Sequence, residues 1–150
     1  MQVRQLLAGN RGPVETTTPA TAIHEVAKVL NAKKIGLVVV SGEKGAIAGV
    51  LSERDIIRGL ADRGAGIVET TVSELMTRDV LTCLPSDDTA AVLRRMWINN
   101  IRHMPVVEDG ELVGILSVRG LLKSITQEGG ARARDILIEV LREGRYYPGT

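Results

Sequence analysis

The segment Gly49-Val-Leu-Ser-Glu-Arg-Asp-Ile-Ile-Arg58 returns further along the chain as Gly114-Ile-Leu-Ser-Val-Arg-Gly-Leu-Leu-Lys123. Gly, Leu, Ser and Arg recur in register at Gly49/Gly114, Leu51/Leu116, Ser52/Ser117 and Arg54/Arg119, and the apolar pair Ile56-Ile57 becomes Leu121-Leu122. One position changes its chemistry: Asp55 is replaced by Gly120. The repetition reaches well beyond this segment. Val3, Leu6 and Leu7 match Val72, Leu75 and Met76; Val14-Glu15-Thr16 matches Val80-Leu81-Thr82; Pro19 matches Pro85, Ile35 matches Ile101 and Val40 matches Val106. A shared order with small length changes confined to loops is the mark of an internal duplication. Whatever the chain folds into must therefore be built from two copies of one unit.

Each copy reads as strand, helix, strand, strand, helix. In the first, Val14–Thr17 is a short strand. Thr21–Asn31 is a helix with the stripe Ile23, Val26, Ala27 and Leu30. Gly36–Ser41 and Ile47–Ser52 are strands joined by a turn with Gly42 and Gly45, and Glu53–Arg63 is a helix that stops near Gly64. The second copy gives strand Val80–Leu84, then a helix from about Asp87 to Asn99 with Ser86 or Asp87 as its cap. Strands Met104–Glu108 and Leu112–Ser117 follow, joined through Asp109-Gly110, and then helix Val118–Gln127.

The class is α+β. Neither copy has enough strands to cover its own sheet, so the pattern predicts two βαββα repeats packed sheet to sheet. Such packing implies pseudo-two-fold symmetry, one core and two related clefts. The expected boundaries are 1–64 for the first repeat, 65–71 for a connector and 72–127 for the second repeat, with 128–150 as a C-terminal helix and tail. In that last part Arg132–Glu143 is amphipathic, with Ala133, Ile136, Leu137, Val140 and Leu141 on one stripe and Ile138 off it. That helix either docks on its own domain or makes a dimer contact. The tail with Tyr146 and Tyr147 is expected to be loose.

Composition narrows the function. A formal charge of +1 argues against a nucleic-acid binder, which needs a clustered basic face, and one Trp, two Tyr and no Phe leave few stacking platforms. One cysteine, Cys83, excludes an intrachain disulfide and sits in an apolar run, as a small buried residue would. No apolar run approaches the ~20 residues of a membrane span, and the first residues lack the apolar centre of a signal peptide. These features predict a cytoplasmic protein without membrane or nucleic-acid partners.

Two places could carry chemistry. Ser52-Glu-Arg-Asp55 lies at a strand-to-helix turn, where free N–H groups and the helix dipole favour anions. A carboxylate there can accept hydrogen bonds from vicinal hydroxyls such as those of a ribose, and Gly49 would allow close approach of a ligand or backbone. The same Ser-x-x-Asp pattern is also a capping box that serves the helix alone. Ser117-Val-Arg-Gly120 starts the equivalent helix without an acid, so the acid is not needed for that purpose. The second place is Arg102-His103, at a strand entrance, where guanidinium and imidazole could hold a phosphate or simply be solvated. Arg54 and Arg119 could reach an anion or be exposed helix charges. Thr16, Thr17, Thr18 and Thr77 offer hydroxyls. His24, His103 and Cys83 make no credible metal set, and no Ser-His-acid arrangement or phosphate-binding glycine loop is present.

The residues Gly49-Val-Leu-Ser-Glu-Arg-Asp55, Val72-Ser-Glu-Leu-Met-Thr77, Arg102-His-Met-Pro-Val-Val107 and Gly114-Ile-Leu-Ser117 resemble a tandem pair of CBS domains, a Bateman module, over about residues 1–127. The resemblance implies a non-enzymatic regulatory module that binds an adenine nucleotide: AMP, ADP, ATP, NAD(H) or S-adenosylmethionine, with AMP or NAD(H) favoured. It implies that Asp55 and Ser52 receive the ribose, with the base against backbone near Gly12–Val14 and Gly36–Val38. Val14, Gly36, Leu37 and Val38 are thus site residues. Phosphate falls to Arg102 and His103, with Met104 and Pro105 beside them, and Ser117, Arg54 and Arg119 complete the set. Gly120 departs from the family pattern and leaves the second cleft without its ribose acid. The resemblance further implies a disc-like homodimer and a regulated partner protein. The rival reading is a ligand-free structural or dimerisation module with vestigial clefts.

Overall fold

A computed structural model describes residues 1–9 and 12–143, but not the side chains of Val140, Leu141 and Glu143. Two positions of the amphipathic stripe, Val140 and Leu141, and the tyrosine tail therefore lie outside the described residues. The architecture is α+β: two repeats, each a small sheet with helices, and a C-terminal helix. The chain divides into two compact units. The buried apolar residues form two clusters, one in each unit, where the sequence had suggested a single core.

One unit holds Pro13–Leu81 with Asp109–Val113. Its sheet has the order β1-β2-β3. The central strand β2 (Leu37–Ser41) is a β-branched run buried from Leu37 to Val40, as suits a strand covered on both faces. It pairs in parallel with β1 (Thr16–Thr17) and antiparallel with β3 (Ile47–Ser52). The next helix, α2 (Ile23–Lys33), lays Ile23, Val26 and Leu30 against Val38, Val40 and Leu51. Each such buried side chain is worth roughly 1.5–3 kcal/mol. Helix α3 (Glu53–Arg63) begins directly from β3. The expected connector is a 3-10 helix, Gly64–Glu69, which buries Ile67 in the same cluster.

A short helix that the periodicity did not reveal, α4 (Val72–Leu75), follows. Although it opens the second sequence repeat, it packs on the first. Val72 N–H donates to the Thr21 carbonyl and Ser73 N–H to that of Pro19, while Thr77 and Val50 exchange both backbone bonds at 2.8 and 2.9 Å. This approach explains Gly49: a Cβ there would stand 2.6 Å from the Thr77 carbonyl oxygen and 3.1 Å from the Met76 sulfur.

The other unit comprises residues 1–9, 12, 82–108 and 114–143 among those described. Its first helix, α1 (Val3–Gly9), was also missed, and it mirrors α4. Val3 N–H donates to the Asp87 carbonyl and Arg4 N–H to that of Pro85, and Leu7 stands 2.5 Å from where a Cβ of Gly114 would be. The two leading helices, equivalent in sequence, are thus exchanged between the repeats. Helix α5 (Thr89–Ile98) is capped by Asp88, whose carboxylate accepts from the N–H groups of Ala90 and Ala91. The sequence had assigned the cap to Ser86 or Asp87; Asp87 instead accepts from Leu84 N–H.

Strands β4 (His103–Glu108) and β5 (Glu111–Ser117) form a two-stranded sheet. The predicted strand Val80–Leu84 is absent and leaves a single bridge, Cys83 to Val106. The cause is Pro105. In the first repeat Val39 N–H donates to Glu15 O, but Pro105 holds the matching place and has no N–H to give. Helices α6 (Val118–Glu128) and α7 (Ala131–Glu143) complete the unit. Ala133 and Ile136 of α7 join the unit's core and Glu139 pairs with Arg94 at 2.7 Å, so α7 docks on its own unit.

Candidate functional site

Two sets of the sequence-predicted residues come together, one in each unit. In the first, Ser52 is the N-cap of α3, and Glu53 N–H donates to the Gly36 carbonyl at 3.0 Å. The sheet register sets Leu37 opposite Ser52 and Val38 opposite Leu51. Gly36, Leu37, Val38, Ser52, Arg54 and Asp55 therefore lie around the start of one helix. Leu37 and Val38 have buried side chains, so what they offer a ligand is backbone. The registered pairs of β1 begin at Val39, which leaves Gly36–Val38 beyond the end of that strand. Val14 is half-buried and precedes β1.

Asp55 is the most buried acid among the described residues, 6% exposed. Oδ2 accepts from Ser52 N–H at 2.9 Å and from the Ser52 hydroxyl at 3.0 Å. The Ser52 oxygen in turn accepts from Asp55 N–H at 3.2 Å, which closes a capping box. Oδ1 accepts from the Thr77 hydroxyl at 3.3 Å and lies 3.5 Å from the guanidinium of Arg58. Asp55 thus does serve the helix. It is also a desolvated carboxylate at a helix N-terminus, one side of which is engaged only by long contacts. Thr77 was read from the sequence as one hydroxyl among several; its bond to Asp55 was not foreseen. The signal lay in the repeat: one residue past the Met76/Leu7 pair stands Thr77 in one copy and Ala8 in the other, just as Asp55 faces Gly120.

The second set contains Arg102, His103, Ser117 and Arg119. Ser117 caps α6 through Gly120 N–H at 3.0 Å, with no reciprocal acid, and Val118 N–H donates to the Arg102 carbonyl at 3.0 Å. Arg119 is exposed and His103 half-buried, while Met104 and Pro105 are buried. The geometry of this turn repeats that at Asp55, but its chemistry does not.

Other candidates lie elsewhere. His24 is exposed on α2. Cys83 is buried, and burial pushes its thiol up to about 11, away from nucleophilic use. Among the described residues no group of three or more His, Cys, Asp or Glu could hold a metal ion, and no helix is long and apolar enough to cross a membrane.

The CBS domain family matches residues 3–62 and again 72–127. A CBS-domain containing protein from Agrobacterium tumefaciens shares 35% identity and a TM-score of 0.80, over 83% of this chain and 98% of that one. A CBS domain protein from Pyrobaculum aerophilum, complexed with AMP, shares 29% identity and a TM-score of 0.73, over 95% of this chain and 99% of its own. A CBS domain pair in complex with 5′-methylthioadenosine and S-adenosyl-L-methionine shares 27% identity and a TM-score of 0.75, over 86% and 98% of the two chains. Curated relatives are often longer: the chain spans 56% of one Arabidopsis thaliana CBS domain-containing protein and 19% of another.

Proposed function

The chain belongs to the CBS-domain family, whose domain it carries twice, and from that premise we propose that it is a regulatory module, not an enzyme, that binds an adenine-containing nucleotide. The observation that carries the reading is Asp55, a buried carboxylate at the start of α3 whose equivalent in the other copy is Gly120. The copy without the acid still caps its helix through Ser117 alone. The carboxylate therefore does more than start a helix, and receiving the ribose hydroxyls fits its place. Similar CBS structures hold AMP in one case and adenosyl ligands in another, which supports the adenine class.

In this reading Asp55 and Ser52 hold the ribose, and backbone at Val14 and Gly36–Val38 meets the base. Arg102 and His103 contact phosphate, with Ser117, Arg54 and Arg119 in support. AMP and NAD(H) are the favoured ligands. The module works in the cytoplasm as a homodimer, and its conformation is read by a regulated partner protein.

Calorimetric titration with AMP, ATP, NADH and S-adenosylmethionine tests this. At least one should bind with a Kd below about 1 mM, near −4 kcal/mol. Asp55→Asn should weaken that ligand by roughly 1–3 kcal/mol, the worth of charge-assisted hydrogen bonds. It keeps an oxygen for the cap, so loss of binding with a retained fold speaks for the ribose role; unchanged affinity would refute it. Small molecules released from the purified protein, identified by mass spectrometry, would name the native ligand.

A second reading has an observation of its own. Both oxygens of Asp55 already have partners inside the protein, as in a module that serves structure or dimerisation and binds nothing. It expects a thermal midpoint that no nucleotide moves.

A further inference from the structure

We propose that Thr77 is a built-in competitor for the ligand's hydroxyls: it occupies Oδ1 of Asp55, and a vicinal diol must displace it to bind. The proposal rests on the reading of Asp55 as the ribose acceptor.

A carboxylate offers about four lone-pair directions. Two of those on Asp55 belong to Oδ2 and are filled from within the same turn, by Ser52 N–H at 2.9 Å and the Ser52 hydroxyl at 3.0 Å. Freeing them would undo the start of α3. The other two lie at Oδ1, where the Thr77 hydroxyl stands at 3.3 Å and the Arg58 guanidinium at 3.5 Å. A diol presents two donors, so it needs the direction that Thr77 holds. The Thr77 bond is weak, because hydroxyl donors prefer about 2.7–2.8 Å. Its displacement costs little: Thr77 is exposed, and its freed hydroxyl turns to water. The backbone of Thr77 stays fixed by both bonds to Val50, so the movement is a side-chain rotation. Arg58 is no comparable obstacle, since its side chain is 69% exposed and the pair is screened.

The duplication adds an independent argument. Leu7 and Met76 hold equivalent places, each against the glycine of a repeat, Gly114 or Gly49. The residue after each is Ala8 in one copy and Thr77 in the other. Because the leading helices are exchanged, the unit with the acid has the hydroxyl, and the unit with Gly120 has neither. Hydroxyl and carboxylate occur as a pair, as a competitor and its target would.

Thr77→Val keeps the shape and removes the hydroxyl, and Thr77→Ser keeps the hydroxyl. Calorimetry with AMP and with 2′-deoxy-AMP reads the result. Thr77→Val should bind AMP about two- to five-fold more tightly, the value of one weak hydrogen bond no longer broken. Its affinity for 2′-deoxy-AMP, which has a single ribose hydroxyl, should match the wild type, and Thr77→Ser should match the wild type for both. Equal or weaker AMP binding by Thr77→Val overturns the competition. In the unmodified protein, NMR couplings of the Thr77 side chain should report a change of rotamer as AMP is added; an unchanged rotamer at saturation overturns it as well. A wild-type protein that binds none of AMP, ATP, NADH and S-adenosylmethionine refutes the ribose reading itself, a result obtained before any variant is made; where another of these binds in place of AMP, the same comparison is run with it and its 2′-deoxy form.

Discussion

At Asp55 one carboxylate starts a helix and faces a hydroxyl from another segment, and at Gly120 the same turn does without it. The comparison isolates what the acid adds. A Cβ at Gly120 would meet only the Ser117 oxygen, at 3.1 Å, and that hydroxyl can turn. Gly120→Asp should therefore build the missing half of the capping box and remove a flexible residue from a helix. The expected gain is about 0.5–1.5 kcal/mol. Chemical denaturation would show it as a raised midpoint with an unchanged slope; a lower midpoint would mean that the turn at Ser117 is not equivalent to that at Ser52. The position of Asp55 was legible because the repeat aligned it with a glycine. Its partner Thr77 was not, because the bond crosses from one sequence repeat to the other and nothing local in the chain announces it.

The elements that pattern revealed are those long enough to show a period. Helices α2, α3, α5 and α6 and strands β2 to β5 follow from apolar spacing and turn residues, within a residue or two. Helices α1 and α4 did not, since α4 has four residues and puts only Val72 and Leu75 on the core, too few to show a period. The strand expected at Val80–Leu84 failed for the opposite reason: its own residues suit a strand, but its neighbour carries Pro105. The exchange of α1 and α4 has a consequence for cutting the chain. A fragment of residues 1–64 matches the sequence repeat but omits Ile67, Val72 and Met76, all buried in the first unit's core. At roughly 1.5–3 kcal/mol each, their loss rivals the ~5 kcal/mol that holds a small domain together. Residues 13–81 keep all three, and keep the bridge from Thr77 to Val50. Circular dichroism should show cooperative thermal unfolding for 13–81 and none for 1–64. The reverse order would show that the leading helices belong to their own sequence repeats.

Taken whole, the molecule is a duplicated fold whose copies no longer share a chemistry. The turn at Ser52 has a carboxylate, a neighbouring hydroxyl and backbone beyond the end of β1; the turn at Ser117 has a glycine in place of the acid and an alanine in place of the threonine. If binding followed the fold, both turns would take the same ligand. If it follows the side chains, one does. Hydrogen exchange with and without saturating AMP separates these cases. Opening of the capped turn must precede exchange there, so a ligand that bonds to Asp55 should slow amides in residues 49–58 and at Thr77. Residues 114–123 should exchange at the same rate in both samples, and calorimetry should saturate at one AMP per chain. Asp55→Asn should abolish the protection without changing the exchange of residues 114–123. Equal protection of both turns would mean that the glycine copy binds through contacts other than a ribose acid, and that the fold, not Asp55, selects the ligand.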